Sequence, residues 1–162
     1  MKKVIPVLLL CLAFLIGYGH QEANQAPVAQ IGNPWTEWSS MEEAETAVGF
    51  AFGLPEVVAD RFEAVEMRTM NNVLIEVIYR YEDFEVCVRK QAGEGQDISG
   101  DYNEYETSAE TSYNGAAIIT YQNSNDPALR QQISYQGYSW SLVALNGYGE
   151  VSDLVFAQEI LG

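Results

Sequence analysis

Residues 73–90, VLIEVIYRYEDFEVCVRK, decide the fold of this chain. Two runs rich in β-branched and aromatic residues flank Glu82-Asp83, and this pattern predicts antiparallel strands joined by a two-residue turn. With that turn, apolar residues face each other on one side of the hairpin, and Arg faces Glu on the other. A shift by one residue would lose both kinds of pair, so the register is well specified. The predicted pairs are Tyr81 with Phe84, Tyr79 with Val86, Val77 with Val88, Arg80 with Glu85, and Glu76 with Arg89.

Three further turns extend this hairpin into a sheet. The loop 71–73 joins the preceding strand, because this loop length gives apolar pairs on one face and an Arg–Glu pair on the other. Asn114-Gly115 and Gln136-Gly137 are typical of two-residue hairpin turns. The predicted pairs across these turns are Met67 with Val77, Val65 with Tyr79, Arg68 with Glu76, Tyr135 with Tyr138, and Ile133 with Trp140.

Two amphipathic patterns predict helices before and after the strands. The run from Ser39 to Glu43 offers the capping-box spacing twice, and Gly49 is suited to end the helix. Residues 152–162, SDLVFAQEILG, carry an apolar stripe at helical spacing. We therefore predict an α+β domain with an antiparallel sheet of about six or seven strands in meander order. Its N-terminal and C-terminal helices are expected to pack on one face of the sheet, because each must bury its stripe.

The N-terminal region has the pattern of an export signal. Two lysines precede a short apolar run, and residues 1–19 are predicted to be a signal peptide, with an uncleaved anchor as the alternative. Residues 20–38 are predicted to be a flexible tether, with Trp35 and Trp38 fixing its end to the domain. Residues 39–162 are predicted to form a single α+β domain. The protein is thus expected to be secreted, with no stable membrane insertion of the mature domain.

Composition excludes several kinds of chemistry. The chain has 8 Lys and Arg against 23 Asp and Glu, and its formal net charge is −15. Such a surface repels nucleic acid and favours solubility, cations or a basic partner. His20 is the only histidine and lies in the predicted tether, so a histidine-based triad or dyad is not expected. Cys87, the one cysteine beyond the predicted signal, is expected to be a buried or half-buried structural thiol, and pairing between two chains is the alternative.

Residues 97–104 form a candidate metal site. Oxygen-bearing side chains alternate from Asp97 to Asn103, as they do at the start of a calcium-binding loop. However, Tyr102 occupies the position of the usual glycine, and Ser108 that of the usual glutamate. The pattern therefore favours a polar connection between strands, and weak calcium binding is the alternative; no other cofactor is predicted. The candidate calcium ligands are Asp97, Asp101 and Glu104.

The chain also shows a family resemblance. Residues 33–58, NPWTEWSSMEEAETAVGFAFGLPEVV, are followed by LIEVIYR, FEVCVRK, DISGDYNEY and GYSWSL. Together these segments resemble a domain of unknown function in secreted proteins and lipoproteins of anaerobic Gram-positive bacteria. It is related to the extracellular C-terminal domain of some anti-sigma-factor-like proteins. The resemblance implies this fold, a location at the extracellular cell surface, and DISGDYNEY as a recurring loop; it implies no catalytic residues.

Three functional hypotheses follow. The leading one is a non-catalytic binding or sensing module of the cell envelope, whose partner is an unknown protein, peptide or glycan. The second is a small carboxylate-dependent glycan hydrolase, which requires two carboxylates without arginine partners in a cleft. The third is a carrier of an apolar ligand, which requires a sizeable apolar cavity between the sheet and the helices.

Overall fold

A computed structural model describes residues 32–53, 62–124 and 130–146 of the chain. These residues form one antiparallel sheet of eight strands and one short helix, as the predicted sheet-rich α+β class requires. The elements are β1 (Trp35–Glu37), α1 (Met41–Val48), β2 (Glu63–Met70), β3 (Leu74–Tyr81), β4 (Phe84–Ala92), β5 (Thr107–Tyr113), β6 (Ala116–Gln122), β7 (Arg130–Tyr135) and β8 (Tyr138–Asn146).

The order of the strands differs from the predicted meander. The sheet runs β1-β2-β3-β4-β8-β7-β6-β5, so two four-stranded meanders join where β4 pairs with β8. The meander prediction is therefore wrong at this junction, and the strand count is eight because β1 adds to the seven strands that the turns indicate. Burial explains the order: β8 brings Trp140 and Leu142 beside the apolar side of β4, whereas β5 is exposed throughout and suits an edge.

The predicted register is confirmed, with one exception, in the three hairpins for which pairs were predicted: β2–β3, β3–β4 and β7–β8. Every predicted pair of β3 with β4 and of β7 with β8 is present. The loop 71–73 joins β2 to β3, and Asn71 and Asn72 adopt positive φ there (51° and 55°). The exception is Val65, because a bulge between Ala64 and Glu66 shifts the register at that point. Ala64, and not Val65, therefore lies opposite Tyr79.

The N-terminal helix forms as the sequence indicates. Ser40 is its N-cap and accepts a hydrogen bond from Glu43 N–H at 3.3 Å, and Gly49 closes the helix with φ 79°. Ala44 is buried, and the ends of α1 pack against the apolar core. The predicted C-terminal helix (152–162) lies outside the described residues. So do the predicted signal peptide and residues 20–31 of the predicted tether.

The end of the predicted tether is part of the sheet. Trp35 begins β1 and lies opposite Met70 at the end of β2. The indole Nε1 of Trp38 donates a hydrogen bond to Thr69 Oγ1 at 3.0 Å, and Thr69 is fully buried. The two tryptophans therefore fix this segment to the domain, as the sequence predicts. Within the described residues, no helix is both long enough and apolar enough to cross a bilayer.

The sheet has an apolar face and a polar face. The apolar face carries Ile75, Val77, Tyr79, Val86, Val88, Ile118, Ile133, Trp140 and Leu142, and together with Phe52 and Phe62, which lie outside the strands, it forms the core of the described residues. The polar face carries the alternate residues, among them Arg89, Ser139 and Arg130. Residues 93–106, which we name the crossing loop, connect β4 at the centre of the sheet to β5 at its edge.

Candidate functional site

The crossing loop begins by docking on the hairpin formed by β7 and β8. Ser134 Oγ accepts a hydrogen bond from Gly95 N–H, and Ser139 Oγ accepts one from Gln96 N–H, both at 3.0 Å. The Ser139 hydroxyl in turn donates to Gly93 O at 2.7 Å. Two serines of the polar face thus satisfy backbone groups that this irregular segment would otherwise leave without partners.

Two arginines hold the middle of the crossing loop. Arg89 of β4 donates from Nη1 to Ile98 O at 3.0 Å. Arg130 of β7 donates from Nη2 to Asp97 Oδ2 at 2.5 Å and from Nη1 to Asp101 O at 3.4 Å. Ile98 is buried under these contacts. The middle of the loop is therefore fixed to strands on both sides of the β4–β8 junction.

The alternating oxygen atoms of the loop form local turns. Asp97 Oδ1 accepts hydrogen bonds from the Ser99 N–H at 3.0 Å and hydroxyl at 2.7 Å. Asp101 Oδ1 accepts hydrogen bonds from the Asn103 N–H at 3.0 Å and Nδ2 at 2.7 Å, and Asp101 Oδ2 accepts one from the Tyr105 hydroxyl. This is how Asp organises irregular backbone.

The charge of Asp97 is stabilised in this setting. Partial burial opposes ionisation, but hydrogen bonds from Ser99 and the nearby Arg130 guanidinium outweigh it and lower the pKa of Asp97. The pKa of Tyr105 is raised, chiefly by burial and then by its hydrogen bond to Asp101. Asp97 therefore stays an anion and Tyr105 a hydrogen-bond donor near neutral pH.

The structure brings two of the three candidate calcium ligands onto one arginine. Arg130 contacts both the Asp97 carboxylate and the Asp101 carbonyl, whereas Glu104 is exposed to solvent. Within residues 32–53, 62–124 and 130–146, no three Asp, Glu, His or Cys side chains are grouped in a way that could hold a metal ion. Weak calcium binding therefore stays an untested alternative, and a cation at Asp97 would have to compete with the Arg130 guanidinium that already contacts this carboxylate.

The tip of the loop presents a tyrosine to solvent. Tyr102 is 96% exposed, although Asp101 before it and Tyr105 after it are both anchored. The Tyr105 ring packs against Tyr121 of β6, with the ring centroids 5.7 Å apart. The sequence pattern marked Tyr102 only as a departure from a calcium loop. A large aromatic residue inside a turn-forming Asp-x-Asn segment is the signal that could have identified it.

A buried ion cluster lies elsewhere on the polar face. Glu76 is fully buried and contacts Arg68 at 2.5 Å and Arg89 at 2.6 Å. The ring of Trp35 lies 4.3 Å from the Arg68 guanidinium. Because Arg89 also holds the crossing loop, this cluster connects β1, β2, β3 and β4 to the loop.

The glutamates of the strands bear on the hydrolase hypothesis. In the described strands, Glu66, Glu76 and Glu85 are in ion pairs with arginine, and the other glutamates are exposed. A glycosidase needs two carboxyl groups facing each other across a cleft, with one of them kept protonated. Glutamates that are held in arginine ion pairs do not supply the two unpartnered carboxyl groups that this reaction requires.

Cys87 lies on the same face as Glu76 and is buried, which confirms the expectation of a buried thiol. Burial raises the pKa of Cys87 to about 12, and the Glu76 charge adds to the effect. The reactive thiolate is therefore scarce at neutral pH.

A lysine enclosed by aromatic rings lies at the apolar face, and no sequence pattern predicts it. Lys90 Nζ donates hydrogen bonds to Ala51 O at 2.6 Å and to Phe52 O at 3.1 Å. It also lies 4.3 Å from the ring centre of Tyr138 and 4.5 Å from that of Trp140. Burial lowers the pKa of Lys90, and Glu45 opposes this effect. The two hydrogen bonds hold residues 51 and 52, which follow α1, against the sheet, and the cation–π contacts hold the Lys90 ammonium beside the two rings.

A shallow groove lies beside the bulge of β2. It has a volume of about 310 Å³ and is lined by Glu37, Trp38, Ser39 and residues 64–67. Two glutamates are in its lining, and it opens at the surface. This groove therefore lacks the apolar enclosure that the carrier hypothesis requires.

The chain was compared with protein families, curated proteins and solved structures. No protein-family model matches it, and neither a curated protein nor a solved structure shows significant similarity.

Proposed function

We propose that this protein is a non-catalytic binding or sensing module of the bacterial cell envelope. Its recognition element is the tip of the crossing loop, from Tyr102 to Glu104. The exposure of Tyr102 carries the proposal, because this tyrosine extends into solvent from a loop whose flanking side chains are fixed. The extracellular location rests on the N-terminal sequence pattern and on the family resemblance.

Physical reasons favour Tyr102 as a contact residue. Tyrosine offers a large, rigid and amphipathic surface, and such residues account for much of the binding energy of protein interfaces. The anchored loop adds to this effect, since a pre-organised segment loses little conformational entropy when a partner binds. Asn103 and Glu104, which are exposed beside the ring, supply hydrogen-bonding groups.

The chemistry of the tip suits a protein, a peptide or a glycan. An aromatic ring next to amide and carboxylate groups can stack on a sugar or pack on a side chain while the polar atoms set the orientation. The acidic composition of the chain opposes binding to nucleic acid and to anionic lipid. The arginine-paired glutamates of the polar face favour this binding function over the hydrolase hypothesis.

The test compares two exposed side chains on fixed backbone. Labelled wild-type protein, Tyr102→Ala and Val73→Ala are applied to peptide arrays, glycan arrays and purified bacterial cell walls. Val73 is 50% exposed in the loop between β2 and β3, so it controls for the loss of exposed apolar area. We expect Tyr102→Ala to weaken binding about tenfold or more at unchanged thermal stability. Val73→Ala should bind as the wild type does, and equal binding by all three proteins would refute the proposal.

A further inference from the structure

The two edges of the sheet differ in how they are protected. At one edge β1 has only three residues, and β2 beside it carries the bulge at Val65. At the other edge β5 pairs with β6 over all seven of its residues without a register shift. Short edge strands and bulges are the usual defences against unwanted strand pairing, and β5, with the sequence TSAETSY, has neither these nor a proline or lysine.

The outer side of β5 offers regular hydrogen-bonding groups. The Asn114-Gly115 turn has positive φ at both residues (47° and 83°), so it is a two-residue turn closed by the pair Tyr113 and Ala116. In such a hairpin the closing pair exchanges hydrogen bonds, and every second residue does the same. The alternate residues direct their N–H and C=O groups away from β6. These residues are Ser108, Glu110 and Ser112.

We propose that β5 accepts an extended, basic segment of another polypeptide as an additional strand. Strand addition requires a regular edge with outward-directed backbone groups, and all seven residues of β5 are exposed. Glu110 is exposed at the centre of β5, and Glu104 and Glu106 are exposed just before it. The chain as a whole has a net charge of −15. Charge complementarity therefore favours a basic partner. Lysine or arginine on the added strand would lie opposite these glutamates.

A second copy of this chain fits the same edge poorly. Two copies related by a twofold axis overlap most fully when Glu110 lies opposite its own equivalent. Like charges directly opposite each other destabilise a strand pair. Glu110 thus acts against self-association and favours a basic partner. This inference goes beyond the proposed role of the loop tip and does not depend on it, because the contacts are made by the backbone of β5.

The test uses a defined strand peptide as the probe. The fluorescent peptide KTVKVTK, with blocked ends, is titrated against the full chain, and an acidic counterpart, ETVEVTE, serves as the control probe. Binding is followed by fluorescence anisotropy, and amide hydrogen exchange by NMR locates the contact. We expect KTVKVTK to bind, and to slow the exchange of the amides of Ser108, Glu110 and Ser112 at least tenfold, whereas ETVEVTE should not bind measurably.

Three variants show whether the peptide binds at the β5 edge or at another site on the chain. Ser108→Pro removes one outward N–H group and should weaken binding tenfold or more, whereas Ser108→Ala keeps that group and should bind normally. Glu110→Lys reverses the central charge and should abolish binding of KTVKVTK. Any of three results would overturn the proposal: no binding at about 1 mM peptide, binding without protection of those three amides, or dimers of the chain that pair through β5.

Discussion

Arg130 of β7 and Asp97 of the crossing loop form an ion pair 2.5 Å long, and this pair joins two segments that are distant in the sequence. The two partners differ in exposure: the Asp97 side chain is 55% exposed, whereas that of Arg130 is 8% exposed. The guanidinium also lies 4.4 Å from the ring centre of Tyr121. The arginine is thus held by the sheet, and the aspartate fastens the loop to it.

The first prediction is that this attachment weakens in acid. Burial opposes the ionisation of Asp97, but Ser99 and Arg130 lower its pKa overall, so the charged form stabilises the folded state. That stability is fully present above the unfolded-state pKa of about 3.9, and it is lost as the pH falls through the lower folded-state value. At pH 7 we expect Asp97→Asn to lower the free energy of unfolding by about 0.5–1 kcal/mol, since water screens a half-exposed pair.

Urea unfolding of the wild type and Asp97→Asn from neutral pH down to about pH 3 checks this prediction. The difference between them should be constant at neutral pH and should shrink below about pH 4. Asp83→Asn, in the exposed turn between β3 and β4, is the control and should change the free energy by less than about 0.5 kcal/mol. If the two proteins differ equally in free energy of unfolding at neutral pH and at pH 3, the charge of Asp97 does not stabilise the fold.

A second prediction concerns calcium. Arg130 is in contact with Asp97, and Asn103 and Tyr105 occupy the Asp101 carboxylate, so a cation would have to displace existing partners. We expect millimolar calcium to change the midpoint of thermal unfolding by no more than about 1 °C relative to a chelator. A rise of several degrees that Asp101→Ala abolishes, and that Glu110→Gln leaves intact, would establish the loop as a metal site.

The third prediction tests the approach of the loop to the sheet. Gly100 has φ 59°, and a Cβ atom there would lie 2.1 Å from Arg89 Nη1. Gly95 has φ 74°, and nothing lies within 4 Å of its added Cβ, so it is a matched control. Both changes to alanine strain the backbone by about 1 kcal/mol. Gly100→Ala should cost about 1 kcal/mol more, because Arg89 must give up its bond to Ile98 O. If Gly100→Ala and Gly95→Ala have equal midpoints in urea unfolding, the loop moves away from Arg89 without a cost in stability.

The hairpins could be predicted from the sequence because their register is specified by adjacent residues. The alternation of apolar and charged residues around Glu82-Asp83 admits one pairing, and the structure has it. The bulge at Val65 could not be predicted, since either Ala64 or Val65 satisfies the pattern opposite Tyr79. The strand order could not be predicted either, because no local pattern indicates that the crossing loop connects the centre of the sheet to its far edge.

In the candidate site, too, the sequence predicts the local turns but not the contacts with distant strands. The turn-forming residues of the loop were recognised, but their chemistry depends on arginines that approach from other strands. The alternation from Asp97 to Asn103 suits calcium if the segment is considered alone. Only the folded chain shows that Arg130, 33 residues beyond Asp97 in the sequence, already neutralises its carboxylate.

The fourth prediction concerns Glu76, which is fully buried between Arg68 and Arg89. Glu76→Gln keeps the shape of the side chain but removes the counter-charge of Arg89, whereas Arg68 keeps its ion pair with Glu66. Breaking a buried pair in this way costs about 3–5 kcal/mol. Glu85→Gln removes a partner of the half-exposed Arg80 and should cost about 1 kcal/mol or less. Urea midpoints of the two variants check the difference. Because Arg89 also holds Ile98 O, Glu76→Gln should additionally speed amide exchange in the crossing loop, and Glu85→Gln should not. Equal urea midpoints would show that the buried cluster adds no more stability than the exposed pair, and unchanged amide exchange in Glu76→Gln would show that the cluster does not hold the crossing loop.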